Sequence, residues 1–212
     1  MTETPVVTDT IFLSSQGATP EDPIMVLERW LAEAKSLVGF PATAMALATS
    51  TPQGDPDVRI VLLQALYEGG LVFFTNLASA KGRQLLANPK AAVCFHWPAM
   101  GRQVRLRGTV RETDVHYADE YFAARPRGSQ IGAHASPQSM PLADRKALIR
   151  LVDDAGARFA GRPVPRPAHW TGLILAPVEI EFWEDGADRL HDRMLFQRSS
   201  GGVAWTKSRL AP

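Results

Sequence analysis

Three groups of polar residues have the types and spacing that could do chemistry. The first combines Arg59, in an otherwise apolar predicted strand, with Thr75, Ser79 and Lys81, where another predicted strand ends and a predicted helix begins. Free backbone amides and the helix dipole at such a junction favour an anion, and Arg and Lys would add charge-assisted hydrogen bonds. The group therefore indicates an anion site; the alternative is a solvated helix cap with surface cations.

The second group begins in the last turn of a predicted helix and continues beyond it. Tyr121, Arg125 and Ser129 are spaced at i, i+4 and i+8, so a phenol, a guanidinium and a hydroxyl could converge on one phosphate. Gln138 and Ser139 lie a little beyond and could supply neutral donors. The alternative is an ordinary helix end with exposed arginines.

The third group lies in a turn between two predicted strands and contains Arg189, His191 and Arg193. Histidine can titrate near neutrality, and arginine can orient an anion or an electron-rich ring. These properties suit the edge of an active site. The alternative is a charged hairpin tip in which Asp188 and Asp192 pair with the arginines.

Several common catalytic and binding motifs are missing from the sequence. It contains no GxGxxG or GxxxxGK[ST], so side chains or another backbone arrangement must hold any phosphate. It has no GxSxG, CxxC or HExxH, and its His residues are scattered, so we expect no metal site. The single Cys94 excludes an internal disulfide, and its apolar strand indicates a small core residue.

Composition is typical of an ordinary globular chain of 212 residues, with 21% charged residues and a net charge of +1. The absence of a basic field argues against nucleic acid as a partner. No apolar run approaches the roughly 18 residues of a membrane span, and no signal peptide is evident. We therefore expect a cytoplasmic protein without a membrane partner. Residues 1–21 are interpreted as a flexible arm, and residues 22–212 as a single domain.

Hydrophobic periodicity predicts the elements that must position these groups. An amphipathic helix is expected from Asp22-Pro23 to about Gly39, and further helices at 79–88, 114–124 and 142–160. Residues 125–141 are expected to be irregular or in short turns, and Gly201-Gly202 indicates a hairpin. Strands are expected at 43–51, 57–66, 71–76, 90–97, 102–113, 171–175, 178–184, 193–198 and 202–207.

This order lacks the β-α-β alternation of a doubly wound parallel sheet. An antiparallel barrel surrounded by helices suits it better. The expected class is therefore mainly β with flanking helices.

Several long sequence words occur in the order found in the pyridoxine/pyridoxamine 5′-phosphate oxidase family, which the chain resembles from about Asp22 to its end. These words are Arg59-Ile60-Val61-Leu62-Leu63, Phe73-Phe74-Thr75-Asn76, Arg102-Gln103-Val104, Tyr121-Phe122 with Arg125-Pro126-Arg127, Ser129-Gln130-Ile131-Gly132-Ala133, Ile180-Glu181-Phe182-Trp183 and Arg189-Leu190-His191-Asp192-Arg193. The resemblance implies an FMN-binding split β-barrel that works as a homodimer, with one FMN per subunit at the interface. It also implies oxidation of pyridoxamine or pyridoxine 5′-phosphate to pyridoxal 5′-phosphate by dioxygen, giving hydrogen peroxide.

The resemblance assigns roles to the three groups. Arg189 and His191 match residues that face the substrate ring and its reacting C4′ carbon, where they would orient the substrate and manage a proton. The substrate phosphate would meet Tyr121, Arg125 and Ser129, with Gln64 beside it. The implied FMN contacts are Arg59, Ile60, Val61, Leu62, Phe74, Thr75, Lys81, Gln103, Gln138, Ser139, Trp183 and Arg193.

The chain also departs from the family pattern. Gln64 stands where Lys is usual, Phe74 where Tyr is usual, Ala80 where Arg is common and His134 where Trp is usual. These changes leave two alternatives open. One is an FMN oxidase of the same fold that acts on another substrate, such as a dihydrophenazine precursor; the other is a flavin- or B6-phosphate-binding protein without turnover.

Overall fold

The computed structural model describes residues 12, 22–198, 202 and 204–212. Its helices are α1 (Pro23–Val38), α2 (Ala80–Ala87), α3 (Val115–Ala124), α4 (Arg127–Ala135) and α5 (Arg145–Arg158). Its strands are β1 (Ala44–Ser50), β2 (Pro56–Leu62), β3 (Ala65–Tyr67), β4 (Gly70–Asn76), β5 (Lys90–Trp97), β6 (Arg102–Glu112), β7 (Trp170–Glu184), β8 (Asp192–Gln197) and β9 (Thr206–Leu210). No helix among the described residues is long and apolar enough to cross a membrane.

Helix α1 begins and ends as its sequence predicts. The Asp22 carboxylate accepts a hydrogen bond from the Ile24 amide at 2.9 Å, and Pro23 occupies the first turn. The helix ends at Gly39, whose φ of 67° suits glycine. Its buried face packs on the sheet, where the Trp30 ring meets Phe182 edge-on at 5.1 Å. Of the arm, residues 1–21, only Phe12 lies within the described residues, and it is buried against Trp30.

The strands form one antiparallel sheet in the order β2-β1-β5-β6-β7-β4-β3, with β8 on β7 and β9 on β8. The expected class, mainly antiparallel β with flanking helices, is confirmed. The first part of β7 pairs with β4 and its last part pairs with β8, while β6 follows both parts. The sheet therefore divides at β7 into two branches.

The branching explains two errors in the predicted strands. We expected separate strands at 171–175 and 178–184, but β7 runs through both because β6 pairs with it along nearly its full length, with one irregularity beside Gly108. We expected one strand over 57–66, but β2 pairs with β1 and β3 pairs with β4, so the chain changes partner after Leu62. Strand β9 begins at Thr206 rather than 202, and Gly201 lies outside the described residues.

A second hydrophobic cluster holds the helices against the start of β7. It contains Phe122 of α3, Ile131 and Ala135 of α4, Ala155 of α5, and Trp170. The expectation that 125–141 is irregular is therefore wrong: α4 forms because Ile131 and Ala135, at helical spacing, are buried in this cluster. This packing fixes the face of α4 that meets the candidate site.

Replacing two helical glycines by alanine should change the free energy of unfolding in opposite directions. Gly82 in α2 lies so close to the preceding loop that a Cβ would be 2.4 Å from the Leu77 carbonyl oxygen, whereas Gly156 in α5 has nothing within 4 Å. Gly156→Ala should stabilise the fold by roughly 0.4–1 kcal/mol through helix propensity and unfolded-state entropy. Gly82→Ala should destabilise it, because backbone must shift. Urea unfolding of both variants checks this; equal signs would contradict the close packing of α2.

Candidate active site

A cavity of about 480 Å³ brings the first and second polar groups together. It lies between the ends of β2 and β4, the start of α2, and helix α4. Its lining residues are Arg59, Ile60, Val61, Phe74, Thr75, Asn76, Lys81, Arg125, Ser129, Gly132, Ala133, Ser136, Gln138 and Trp170. Two of the implied cofactor contacts, Leu62 and Ser139, are not among these lining residues. Ser139 directly follows the lining residue Gln138 in the chain.

The start of α2 is built as a polar junction. The Ser79 side chain caps the helix by accepting from the Gly82 amide at 3.2 Å, as predicted. The Lys81 ammonium donates to Gln138 Oε1 at 3.0 Å, and the Ala80 amide donates to Ser139 Oγ at 3.1 Å. The segment after α4 is therefore tied to the helix N-terminus, which places Gln138 and Ser139 with the first group.

The cationic end of the cavity is formed by Arg59 and Lys81. Arg59 is held by Asp57 at 2.5 Å and donates to Thr49 Oγ1 at 2.6 Å, which fixes its guanidinium beside the cavity. Burial lowers the pKa of the Lys81 ammonium, Arg59 lowers it further, and Asp57 acts in the opposite direction. An anion bound here would relieve the desolvation and the repulsion between the two cations.

An aromatic wall leads from this end to the second group. The Phe74 ring stacks on Tyr121 at 3.9 Å and on Trp170 at 4.9 Å, and the Arg125 guanidinium lies 4.6 Å above the Trp170 ring. The Tyr121 hydroxyl donates to Gln64 Oε1 at 2.7 Å. Burial raises the pKa of Tyr121, against the influence of Arg125, so its phenol stays protonated at neutral pH.

Two polar atoms in the cavity lining lack a partner. Among the described residues, Thr75 Oγ1 and Arg125 Nη1 are buried and make no hydrogen bond within the protein. An unpaired buried donor is costly, and a guanidinium more so than a hydroxyl. Burial also lowers the pKa of Arg125, while Tyr121 opposes the shift. Together with Arg59 and Lys81, these atoms fit an anionic ligand with hydrogen-bond acceptors, as a phosphate-bearing cofactor such as FMN would supply.

The remaining cofactor residues form a separate group at the other end of the sheet. Gln103, Trp183 and Arg193 lie side by side on β6, β7 and β8. Arg193 pairs with buried Glu181 at 2.9 Å; burial raises the Glu181 pKa, but hydrogen bonds from Arg193 and Arg105 outweigh it and lower the pKa overall. None of these residues lines the cavity of the same chain.

The other two members of the third polar group, Arg189 and His191, lie in the turn before β8. Asp188 and Arg189 have φ values of 55° and 64°, an uncommon conformation for residues other than glycine, of the kind that concentrates at functional sites. Within the described part of the chain, Arg189 makes no hydrogen bond or ion pair. His191 packs on Trp183 with ring centres 4.6 Å apart. The hairpin-tip pairing is wrong, because Asp192 pairs with Arg209.

Sequence reasoning missed several lining residues. Gly132, Ala133 and Ser136 follow the predicted Ser129 at i+3, i+4 and i+7, so small residues on one face of α4 and just after it line the cavity. That spacing was available in the sequence, but the expectation of an irregular segment concealed it. Asn76 was also missed, and so was Trp170, which had no signal beyond its position after a proline-rich connector.

The chain matches two family models in sequence. Residues 33–157 match the pyridoxamine 5′-phosphate oxidase model, and residues 170–212 match the pyridoxine 5′-phosphate oxidase C-terminal dimerisation region. A pyridoxine/pyridoxamine 5′-phosphate oxidase of Azorhizobium caulinodans is 50% identical over 199 residues, 94% of each chain. One of Mesorhizobium japonicum is 47% identical over 206 residues, covering 97% of this chain and 100% of the relative.

Solved structures show the same fold. PhzG from Burkholderia lata, in complex with tetrahydrophenazine-1-carboxylic acid, superposes with a TM-score of 0.87 at 31% identity, covering 97% of this chain and 98% of PhzG. A pyridoxamine 5′-phosphate oxidase-related, FMN-binding protein from Nostoc punctiforme gives a TM-score of 0.71 at 21% identity, covering 89% of this chain and 96% of that protein. The second likeness concerns the fold alone. Both confirm the expected split barrel.

The sequence matches, the fold and the polar cavity agree, and the dimerisation region supports a homodimer. The chain belongs to the pyridoxine/pyridoxamine 5′-phosphate oxidase family and is an FMN-dependent oxidase of that type.

Proposed function

We propose that this chain oxidises pyridoxamine or pyridoxine 5′-phosphate to pyridoxal 5′-phosphate, with dioxygen as electron acceptor and hydrogen peroxide as product. The observation that carries the proposal is the single cavity in which Arg59 and Lys81 lie with Arg125 and an aromatic wall. Such a cavity suits two phosphate-bearing, ring-containing ligands bound side by side.

The first group would hold the cofactor. Arg59 and Lys81 would bind the FMN phosphate, and Thr75 Oγ1, which has no partner among the described residues, would donate to it or to the flavin. FMN held there would supply the redox chemistry, namely acceptance of a hydride from substrate C4′ and transfer of the electrons to dioxygen. The protein's contribution would be to hold the phosphate and to orient the substrate ring over the flavin.

The second group would hold the substrate phosphate. Arg125 Nη1 is buried and has no partner within the part of the chain that the structure describes, so an anion would complete its hydrogen bonding. Ser129 lines the same cavity, and Tyr121 stands beside it in contact with Phe74. Gln64 supports this end through its hydrogen bond with the Tyr121 hydroxyl.

A homodimer with the cofactor at its interface would complete the site. Gln103, Trp183 and Arg193 match FMN positions but lie outside the cavity of their own chain, so a second copy would have to supply them. Strand β2, which carries Arg59, exposes Val58 and Ile60 at 64% and 65% of their surfaces. Such apolar exposure beside a site suits an interface between subunits. Residues 22–212 would act as one domain, because the sheet is continuous from β1 to β9.

A second candidate substrate class has its own support. At the anion end, Gln64 offers a neutral amide where relatives usually have a lysine, and it is bonded to the neutral Tyr121 phenol. PhzG, at 31% identity, was solved with a tricyclic carboxylate. An unphosphorylated dihydrophenazine carboxylate would need only the single charge of Arg125. In that case pyridoxamine 5′-phosphate would not reduce the enzyme.

An anaerobic titration separates the two candidates. The FMN-loaded protein is mixed with pyridoxamine 5′-phosphate without oxygen, and the visible flavin absorbance is followed. Prompt bleaching that air reverses, with hydrogen peroxide formed, is the expected result. A persistent oxidised spectrum would overturn the proposal and favour the second candidate. If the protein bound its ligands but consumed no oxygen with any substrate tested, the result would favour a binding protein without turnover.

Replacing the residues of the turn tests their assignment. Arg189→Ala and His191→Ala should each lower kcat/KM, because each removes a group expected to face the reacting carbon; loss of a charged hydrogen bond is worth about 1.5–3 kcal/mol, or roughly 10- to 150-fold. FMN affinity, measured by quenching of flavin fluorescence, should not change. Loss of FMN instead would place these residues in the cofactor site.

A further inference from the structure

The side chain of His191 has two candidate partners at one nitrogen. Its Nδ1 lies 3.1 Å from Asp185 Oδ1 and 3.2 Å from the Gly186 amide nitrogen. The ring packs on Trp183, and the side chain is only 21% exposed. Neither Asp185 nor Gly186 belongs to the groups that sequence reasoning singled out.

The two contacts suit different protonation states of the imidazole. The Gly186 N–H can donate to Nδ1 only when that nitrogen carries a lone pair. The Asp185 carboxylate can accept from Nδ1 only when it carries a proton. Nδ1 therefore has a partner whether it is bare or protonated, and in both cases Nε2 is left for another group.

The backbone holds both partners in place. The Asp185 amide donates to the Gly101 carbonyl at 2.8 Å, which ties the turn to the start of β6. Gly186 approaches the other side of the turn so closely that a Cβ would lie 2.2 Å from the Leu190 carbonyl oxygen. The turn therefore presents the Asp185 carboxylate and the Gly186 amide to His191 in a fixed arrangement.

From this geometry we propose that Asp185 is a positioning residue for His191, which holds the imidazolium form while Gly186 holds the neutral form. The inference rests on the proposed function in assigning His191 to the proton transfers of the reaction. His191 can then gain or lose a proton without turning its ring, because Nδ1 always has a partner.

Other charged groups near the turn are committed elsewhere or lie on its outer side. Asp192 pairs with Arg209, and Arg193 pairs with Glu181. Arg189 is exposed and carries a positive charge, which would oppose rather than support an imidazolium. Asp185 is thus the acidic group that contacts the ring from the turn, while Trp183 contacts it from β7.

Paired variants of the FMN-loaded enzyme test the assignment. Asp185→Asn removes the charge and keeps the shape, and Asp185→Ala also removes the acceptor. Asp188→Asn is the matched control, because it makes the same change in the same turn and Asn tolerates the φ of 55° found there. The measurements are the nitrogen NMR signal of His191 Nδ1 and kcat/KM with pyridoxamine 5′-phosphate.

The expected result has a direct and a kinetic part. Asp185→Asn should shift the nitrogen NMR signal of His191 Nδ1, because a neutral amide replaces the carboxylate that can accept from the protonated nitrogen. It should lower kcat/KM roughly two- to fivefold, with KM and FMN affinity unchanged. Asp185→Ala should have at least as large an effect, and Asp188→Asn should behave as the parent protein.

Equal Nδ1 signals in the parent and both Asp185 variants would overturn the assignment, since charge and acceptor would then be without effect on the ring. A shifted Nδ1 signal in an enzyme that does not turn over pyridoxamine 5′-phosphate would uphold the contact and refute the proposed function instead. A fall in kcat/KM with all variants, Asp188→Asn included, would indicate a general disturbance of the turn and also count against the assignment.

Discussion

Replacing Arg125 by methionine should raise the KM for pyridoxamine 5′-phosphate by about 10- to 150-fold. The Arg125 guanidinium lies over Trp170, and its Nη1 is buried without a partner in the described chain, so its missing partner is expected to be the substrate anion. Loss of one charge-assisted hydrogen bond costs about 1.5–3 kcal/mol, which gives this range. Methionine keeps much of the contact with the aromatic ring. Steady-state kinetics measure the effect.

The control for this variant is Arg150→Met, which makes the same change at an exposed position of α5. It should leave KM unchanged. FMN affinity should be the same in both variants, because Arg59 and Lys81, not Arg125, are expected to hold the cofactor phosphate. If Arg125→Met lost FMN and kept its KM, the roles of the two cationic ends of the cavity would have to be exchanged.

Local chemistry explains why much of the fold was predictable from sequence. Asp22, Ser79 and Asp114 cap α1, α2 and α3 through bonds to amides two or three residues away. Strand β5 was predicted with its observed bounds, because its alternation of exposed and buried residues is local as well. Signals of this kind depend on near neighbours and survive whatever the rest of the chain does.

Features that depend on distant partners were harder to predict. Strand β7 is continuous because β6 pairs with it, and α4 is helical because the second hydrophobic cluster buries Ile131 and Ala135. No window of sequence contains those partners, so tertiary packing outweighed the local proline and glycine signals near these segments. The unpaired atoms of Thr75 and Arg125 depend equally on the whole fold.

The arrangement of the candidate site also depends on distant parts of the chain. The resemblance supplied all of the candidate FMN contacts. The structure gathers most of them around the cavity, whereas Gln103, Trp183 and Arg193 lie outside the cavity of their own chain. This division follows from the topology, since these three residues lie at the β8 branch of the sheet. It makes a second subunit part of the proposed chemistry.

Replacing Gln64 by lysine should lower the KM for pyridoxamine 5′-phosphate by about tenfold or more. Gln64 Oε1 now accepts a hydrogen bond from the Tyr121 hydroxyl at 2.7 Å, so this pair of side chains offers the substrate no charge. A lysine cannot accept this hydrogen bond, so the Tyr121 hydroxyl would be free to donate to the ligand. The lysine would also add a second cation beside Arg125. A charged hydrogen bond of about 1.5–3 kcal/mol supports an effect of that size. The KM from steady-state kinetics is the measurement.

The control is Gln53→Lys, the same change at an exposed turn between β1 and β2, which should leave KM unaltered because it lies apart from Tyr121. Since both variants add one positive charge, any general steering of an anionic substrate is common to them. A KM lowered only by Gln64→Lys would place residue 64 at the substrate phosphate. An unchanged KM in both would mean that Gln64 acts on Tyr121 alone. A KM raised by Gln64→Lys would show that the neutral pair itself recognises the substrate, as the unphosphorylated alternative requires.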